Sequence, residues 1–317
     1  MGSLFGLQSM QAQTDFPLSV VTSPLLQVNP ASAGLFNDEF RLQTYFKSQA
    51  DRSLSGSGIK GTGVSADYNF IDLNMGLGLM LYSNSVDKSA LRDVNVSVSY
   101  GYRMQLGKRS LLSFGLQTGL KQVSFSMAEL TFGSQYDPTY QGGYNPDMQP
   151  DIGVYRNVNS FDLSVGGWWL NYLNEKTVLN MKLAAFHLTP MRIGFLTENA
   201  SLKPKFVANA TARYTNNDIN WIPSVLLVSQ NKHNYAEVGV TSQYQVETST
   251  QSVSLGVYYR TPNVLIPTVG ISYGDFSANI SFEYYMGNSY PNIFNISLFY
   301  LPQSTRSTGL IEDFQEF

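Results

Sequence analysis

The stretch "DVNVSVSYGYRM" alternates residue by residue. Val94, Val96, Val98, Tyr100, Tyr102 and Met104 fall on one face, and Asp93, Asn95, Ser97, Ser99, Gly101 and Arg103 on the other. A period of two is the signature of a strand with one apolar and one polar face. The alternation recurs nearly everywhere after Phe36. It is clear in "FRLQTYF", "IDLNMGLGLML", "LLSFGLQTGL", "SFDLSVGGWW", "KFVANATARY", "YAEVGVTSQY", "FSANISFEYY" and "IFNISLFY". Weaker strands fill 59–69, 177–188, 219–229, 251–261 and 263–273, and no long helical period intervenes. The pattern predicts about 14 strands of about 9–12 residues, long enough to cross a bilayer when tilted.

The connections alternate too. Short turns fall at "NF" 69–70, "GKR" 107–109, "NEK" 174–176, "NND" 216–218 and "GD" 274–275. Longer links fall at 49–58, 83–92, 124–158 and 189–203, whereas "NKHN" and "TPN" are short. Short turns at one rim and longer loops at the other are the habit of outer-membrane barrels, with the short turns periplasmic. Aromatics near strand ends (Tyr68, Phe70, Tyr82, Trp168, Trp169, Tyr214, Trp221) fit interfacial girdles. Val96→Arg, on the apolar face, is expected to impair assembly, and Ser97→Arg, on the polar face, to be better tolerated.

Composition narrows the class. Charged residues make up 14% of the 317 residues, well below the roughly 25% of a soluble protein. Aromatics reach 13%, and no apolar run is long enough for a membrane helix. A transmembrane barrel shows this combination, because lipid-facing and inward residues average out. The expected fold is therefore all-β, a transmembrane antiparallel barrel in the bacterial outer membrane. A soluble two-sheet protein is the competing reading. A net charge of −3 gives no reason to expect a nucleic-acid partner.

Candidate chemistry is sparse. There is no cysteine, and His187 and His233 are the only histidines. "GSGIKG" (56–61) matches G-x-G-x-x-G, but a strand rather than a helix follows it, so it reads as a hairpin loop. His187 reads as a lumen or interface side chain. Asp137, Asp147 and Asp151 lack calcium-loop spacing and read as solvated acids. The sequons at Asn95, Asn199, Asn209, Asn279 and Asn295 fall mostly in strands and read as chance. No hydrolase, metalloprotease or phosphate-loop motif occurs. The expectation is a protein that is not an enzyme, with no cofactor and no metal. The Gly-, Pro- and Tyr-rich insertion at 126–157 either folds into the lumen or stands as an external binding surface.

"NPASAG", residues 29–34, precedes the first strand. It resembles the Asn-Pro-Ala-x-Ala/Thr-Gly signature of the PorP/SprF family, outer-membrane proteins of the Bacteroidetes type IX secretion and gliding systems. The signature positions are Asn29, Pro30, Ala31, Ala33 and Gly34. Similar stretches follow in family order: "GLGLMLYSN" 76–84, "FGLQTGLKQVSF" 114–125, "YDP" 136–138, "HLTPMRIGF" 187–195, "WIPSVLLV" 221–228, "VYYR" 257–260 and "VGISYG" 269–274. The chain departs from the family by adding "QSTRSTGLIEDFQEF" after its last strand.

The resemblance implies an outer-membrane barrel that supports secretion or surface attachment of an adhesin or another type IX substrate. Its partners would be that substrate, periplasmic type IX or gliding components, and outer-membrane lipid. A channel for small solutes is the alternative. The expected organisation is a signal-peptide remnant or mis-assigned start at 1–12, an N-terminal segment at 13–38, the barrel at 39–301 and a tail at 302–317. The N-terminal segment is expected to plug the lumen or to face the periplasm, with Pro30 and Gly34 setting its turn; an ordinary strand-entry turn is the alternative reading of this corner.

Overall fold

The computed structural model describes residues 15, 17–49, 58–86, 91–126, 133–140, 143, 145, 147–148, 155–192, 201–246, 251–287 and 292–302. Fourteen strands close into one antiparallel barrel. In the first half they are β1 (Phe40–Gln49), β2 (Ile59–Phe70), β3 (Met75–Val86), β4 (Leu91–Leu106), β5 (Ser110–Ser126), β6 (Tyr155–Asn174) and β7 (Thr177–Phe186). A small separate pair follows, β8 (Met191–Arg192) with β9 (Ser201–Leu202). The ring resumes with β10 (Lys205–Asn216), β11 (Ile219–Gln230), β12 (His233–Gln245) and β13 (Gln251–Arg260). It ends with β14 (Val264–Tyr273), β15 (Phe276–Tyr285) and β16 (Ile293–Tyr300). β16 returns to pair with β1, so no strand edge is left along that seam.

The alternation sorts as the sequence indicates. On β4, Val96 and Val98 are 44% and 48% exposed and face outward, while Ser97 and Ser99 are buried inward. The outward residues of neighbouring strands continue this apolar surface, among them Leu79, Phe114, Phe161, Leu227, Ile271 and Leu298. Val96→Arg is expected to lower barrel stability by about 2–4 kcal/mol, the cost of Arg near the bilayer midplane. Loss of the folded, heat-modifiable gel species for Val96→Arg but not for Val96→Leu is the readout. Ser97→Arg is no neutral control, because Ser97 is 3% exposed in a filled interior.

Several local expectations are corrected. The β2–β3 connection lies at 71–74, not 69–70. Ile71–Leu73 form a single 3-10 turn, closed by Asn74 at φ 53°. Asn tolerates this left-handed backbone better than most residues do. Tyr82 and Trp168 point inward rather than into a girdle, while Tyr68, Tyr214 and Trp221 face outward. Trp168 donates its Nε1–H to Asn180 and carries the Lys182 ammonium 3.8 Å from its ring centre. Strands run further than expected at the long-loop end, so the β3–β4 link is 87–90 and the β5–β6 link 127–154. At the other end, 246–250 is longer than the remaining turns. The described part of the 127–154 link exposes Tyr136, Tyr140 and Met148. Residues 1–12, the tail 303–317, the start of "GSGIKG", Asp151 and Asn199 lie outside the described residues.

Candidate functional site

The interior is not an empty polar tube. Residues 17–36 lie inside the barrel and bond to inward-facing groups from around the ring. Their direction is set by what they touch. Asp15 meets Lys121, His187, Lys205 and Gln230, which sit toward the long-loop end of their strands or just beyond. Leu18 and Val20 meet Arg260, Tyr235 and Glu237. Gly34 and Phe36 meet Asp67, Arg103 and Asn69 near the short-turn end. The segment therefore crosses from the loop end to the turn end before turning into β1.

Its middle explains "NPASAG". Four inward glycines stand in one register row: Gly76 opposite Gly101, Gly101 opposite Gly115, and Gly115 opposite Gly166. The signature lies along this bare track. A Cβ on Gly166 would sit 2.1 Å from Asn29 Oδ1, and one on Gly115 2.1 Å from Ala31 N. On Gly101 and Gly76 it would sit 2.6 and 2.3 Å from the Ala33 carbonyl oxygen. Glycine inside a strand commonly marks such an approach by another backbone. Gly34 (φ +64°) packs its Cα against Gly76, where its own Cβ would sit 2.5 Å from the Gly76 Cα. Position 34 thus needs glycine for space and for its backbone angle.

Each signature residue has a separate task. Pro30 opens a 3-10 turn over Pro30–Ser32, where its missing N–H costs nothing. Asn29 caps that turn by accepting from the Ala31 N–H at 2.8 Å. Its amide donates to the Gly167 and Leu183 carbonyls at 2.9 and 3.1 Å, tying the turn to β6 and β7. Ser113 donates to the Ala31 carbonyl at 2.9 Å. Ala31 and Ala33 are fully buried, packed against Leu111, Trp168 and Leu170 in one cluster and Leu26, Met80 and Tyr82 in another.

Buried ion pairs hold the segment at both ends. At the turn end, Arg41 grips Asp67 through Nε at 2.9 Å and a terminal nitrogen at 2.6 Å. Asp67 also accepts the Gly34 N–H at 2.9 Å, and Arg41 donates to the Ser32 carbonyl at 3.0 Å. Arg103 donates to the Gly34 carbonyl and to Asn69. Toward the loop end, Arg260 pairs with Glu237 and Glu283 and donates to the Leu18 carbonyl. Lys47 reaches the Pro17 carbonyl and Glu283.

Asp15 forms the outermost contact. His187 follows β7 with a left-handed backbone, φ 58°. Its Nε2 lies 2.6 Å from Asp15 and its Nδ1 3.0 Å from Asp162. An imidazole facing carboxylates on both nitrogens satisfies both only when doubly protonated. Burial opposes that charge, but Asp15 outweighs it and the His187 pKa is raised. Burial likewise raises Asp15, yet Lys205, His187 and Lys121 hold its carboxyl well below the usual range.

The linkage sign follows for each group. A raised folded-state pKa makes the His187 contribution complete below its unfolded value of about 6.5 and lost as pH climbs through the folded value. The Asp15 contribution is present above its unfolded value and lost at acid pH. Urea unfolding in detergent should show stability falling above neutral pH in the native protein. His187→Gln should flatten that fall.

Among the described residues no group of three or more His, Cys, Asp or Glu is placed to hold a metal. Asp137 instead accepts from the Thr139 N–H and hydroxyl. Asn95, Asn209 and Asn295 are buried and face inward.

Fourteen closed antiparallel strands with an apolar outer belt define an outer-membrane β-barrel. Among the described residues no helix is long and apolar enough to span a membrane. The sequence profile described as "Type IX secretion system membrane protein PorP/SprF" matches residues 10–300. The chain belongs to the PorP/SprF family of type IX secretion system membrane proteins.

Solved barrels share its fold. A deletion mutant of the TodX monoaromatic hydrocarbon channel aligns at TM-score 0.55 and 11% identity, over 87% of this chain and 93% of its own. The Pseudomonas putida toluene transporter TodX gives 0.51 at 10% identity, over 87% and 92%. A Pseudomonas aeruginosa FadL homologue gives 0.50 at 10% identity, over 86% and 92%. A search of curated protein sequences gives no match.

Proposed function

We propose that this barrel serves type IX secretion as an anchor and not as a catalyst or an open pore. It would support secretion or surface attachment of an adhesin at its long-loop face and contact periplasmic components at its short-turn face. The supporting observation is the interior segment, held by buried ion pairs at both ends and laid on a glycine track in between. In this reading residues 13–38 close the lumen to solutes, 39–301 form the anchor, and Asn29, Pro30, Ala31, Ala33 and Gly34 are the docking motif.

The test is a pull-down of the tagged protein from solubilised outer membranes, read by mass spectrometry, with conductance measured in planar bilayers. Recovery of a large adhesin or periplasmic type IX components, with no stable conductance, is the expected result. A steady open pore and no partner would replace this reading with the solute channel.

A further inference from the structure

A groove of about 1150 Å³ runs across the wall formed by β5, β6, β7, β10, β11 and β12. It follows one register row: Phe114 opposite Gly167, Gly167 opposite Leu183, Leu183 opposite Ala208, Ala208 opposite Leu227, and Leu227 opposite Ala236. The small outward residues Gly167, Ala185, Ala208 and Ala236 make its floor. Phe114, Val165, Leu183, Phe206 and Leu227, all largely exposed, stand as its sides.

The groove is polarised along its length. Phe114 lies low on β5, near the short-turn end. Ser229, Asn234 and Thr261 line the other end, beside the links that follow β11 and β13. Five strand spacings of about 4.8 Å make a row of about 24 Å, which climbs about 17 Å if the strands tilt by about 45°. One leaflet of the hydrocarbon core is about 15 Å thick. This climb is of the order of one leaflet's depth. The groove is apolar along most of it and turns polar at the long-loop end, where headgroups begin. Its outer surface continues the lipid-facing belt.

We propose that this groove seats one acyl chain of an outer-leaflet lipid, with the headgroup at Ser229, Asn234 and Thr261. The seat lies over the docking point of the interior segment, because Asn29 donates to the Gly167 and Leu183 carbonyls from inside. A chain held here would be a fixed ligand rather than exchanging annular lipid.

The test adds lipid A, the acylated anchor of the bacterial outer leaflet, to the detergent-purified full chain and counts bound lipid by native mass spectrometry. One lipid should survive activation that strips the rest. Ala185→Phe and Ala208→Phe fill the groove and should lower that occupancy about tenfold. Val98→Phe, on the outer face of β4, should leave it unchanged. Heat-modifiable migration confirms that each variant is folded. Equal lipid retention by folded, groove-filled variants overturns the proposal, as does a native barrel that retains none. A co-purifying protein lost only from the filled variants would assign the groove to that partner instead.

Discussion

Gly115→Val is expected to expel the interior segment from its track. The first added carbon would lie 2.1 Å from Ala31 N and 2.3 Å from the Pro30 carbonyl carbon, both backbone atoms. Neither can step aside, because Ser113 binds the Ala31 carbonyl and Asn29 binds β6 and β7. Overpacking typically costs about 1–3 kcal/mol, and more against fixed backbone. The chain has no cysteine, so Ser32→Cys is a clean probe. Ser32 is 1% exposed, and a thiol there should resist maleimide in the native background and react once Gly115→Val is added. Gly167→Ala is the control, since the nearest atom to its new carbon is 4.0 Å away. Equal labelling of the two variants would remove the track from the explanation.

Arg260→Ala should be the most damaging single charge deletion. It strands Glu237 and Glu283, both 0% exposed, with Lys47 3.5 Å from one of them. Removing one partner of a buried ion pair costs about 3–5 kcal/mol, because the remaining charge stays desolvated. The Leu18 carbonyl also loses its donor. Urea titration in detergent should show the loss. The combination of Arg260→Met, Glu237→Gln and Glu283→Gln should recover much of it. If the combination is no better than Arg260→Ala, the damage comes from lost packing and not from stranded charge.

The outer half of this structure was legible in the sequence, because a strand between lipid and interior must alternate. Fourteen strands and their facing follow from that one rule. Boundaries slipped where alternation outlasts the strand, as at Ile71 and Leu73, which keep the period while the backbone turns. The interior was less legible. Glu237 reads as polar lining, whereas it accepts from Ser19 and Val20, far off in sequence. Glu283 is tied to that segment only indirectly, through Arg260 and Lys47. Val207 and Leu226 point inward and are apolar because Leu18 and Val28 pack on them. Gly76, Gly101, Gly115 and Gly166 were visible as inward glycines in four consecutive strands. Their alignment needed the register, which no single strand encodes.

The seam between β1 and β16 carries a consequence for biogenesis. It is the junction of the first and last strands, zipped by register pairs from Leu42–Tyr300 to Gln49–Ile293. The interior segment immediately precedes β1, yet it bonds to β12, β13 and β15 near the other end of the chain. A ring closed by its final strand leaves little room to thread a folded turn and twenty residues through it afterwards. An order of construction in which the N-terminal segment docks on the curling sheet before the β1–β16 seam closes avoids that threading.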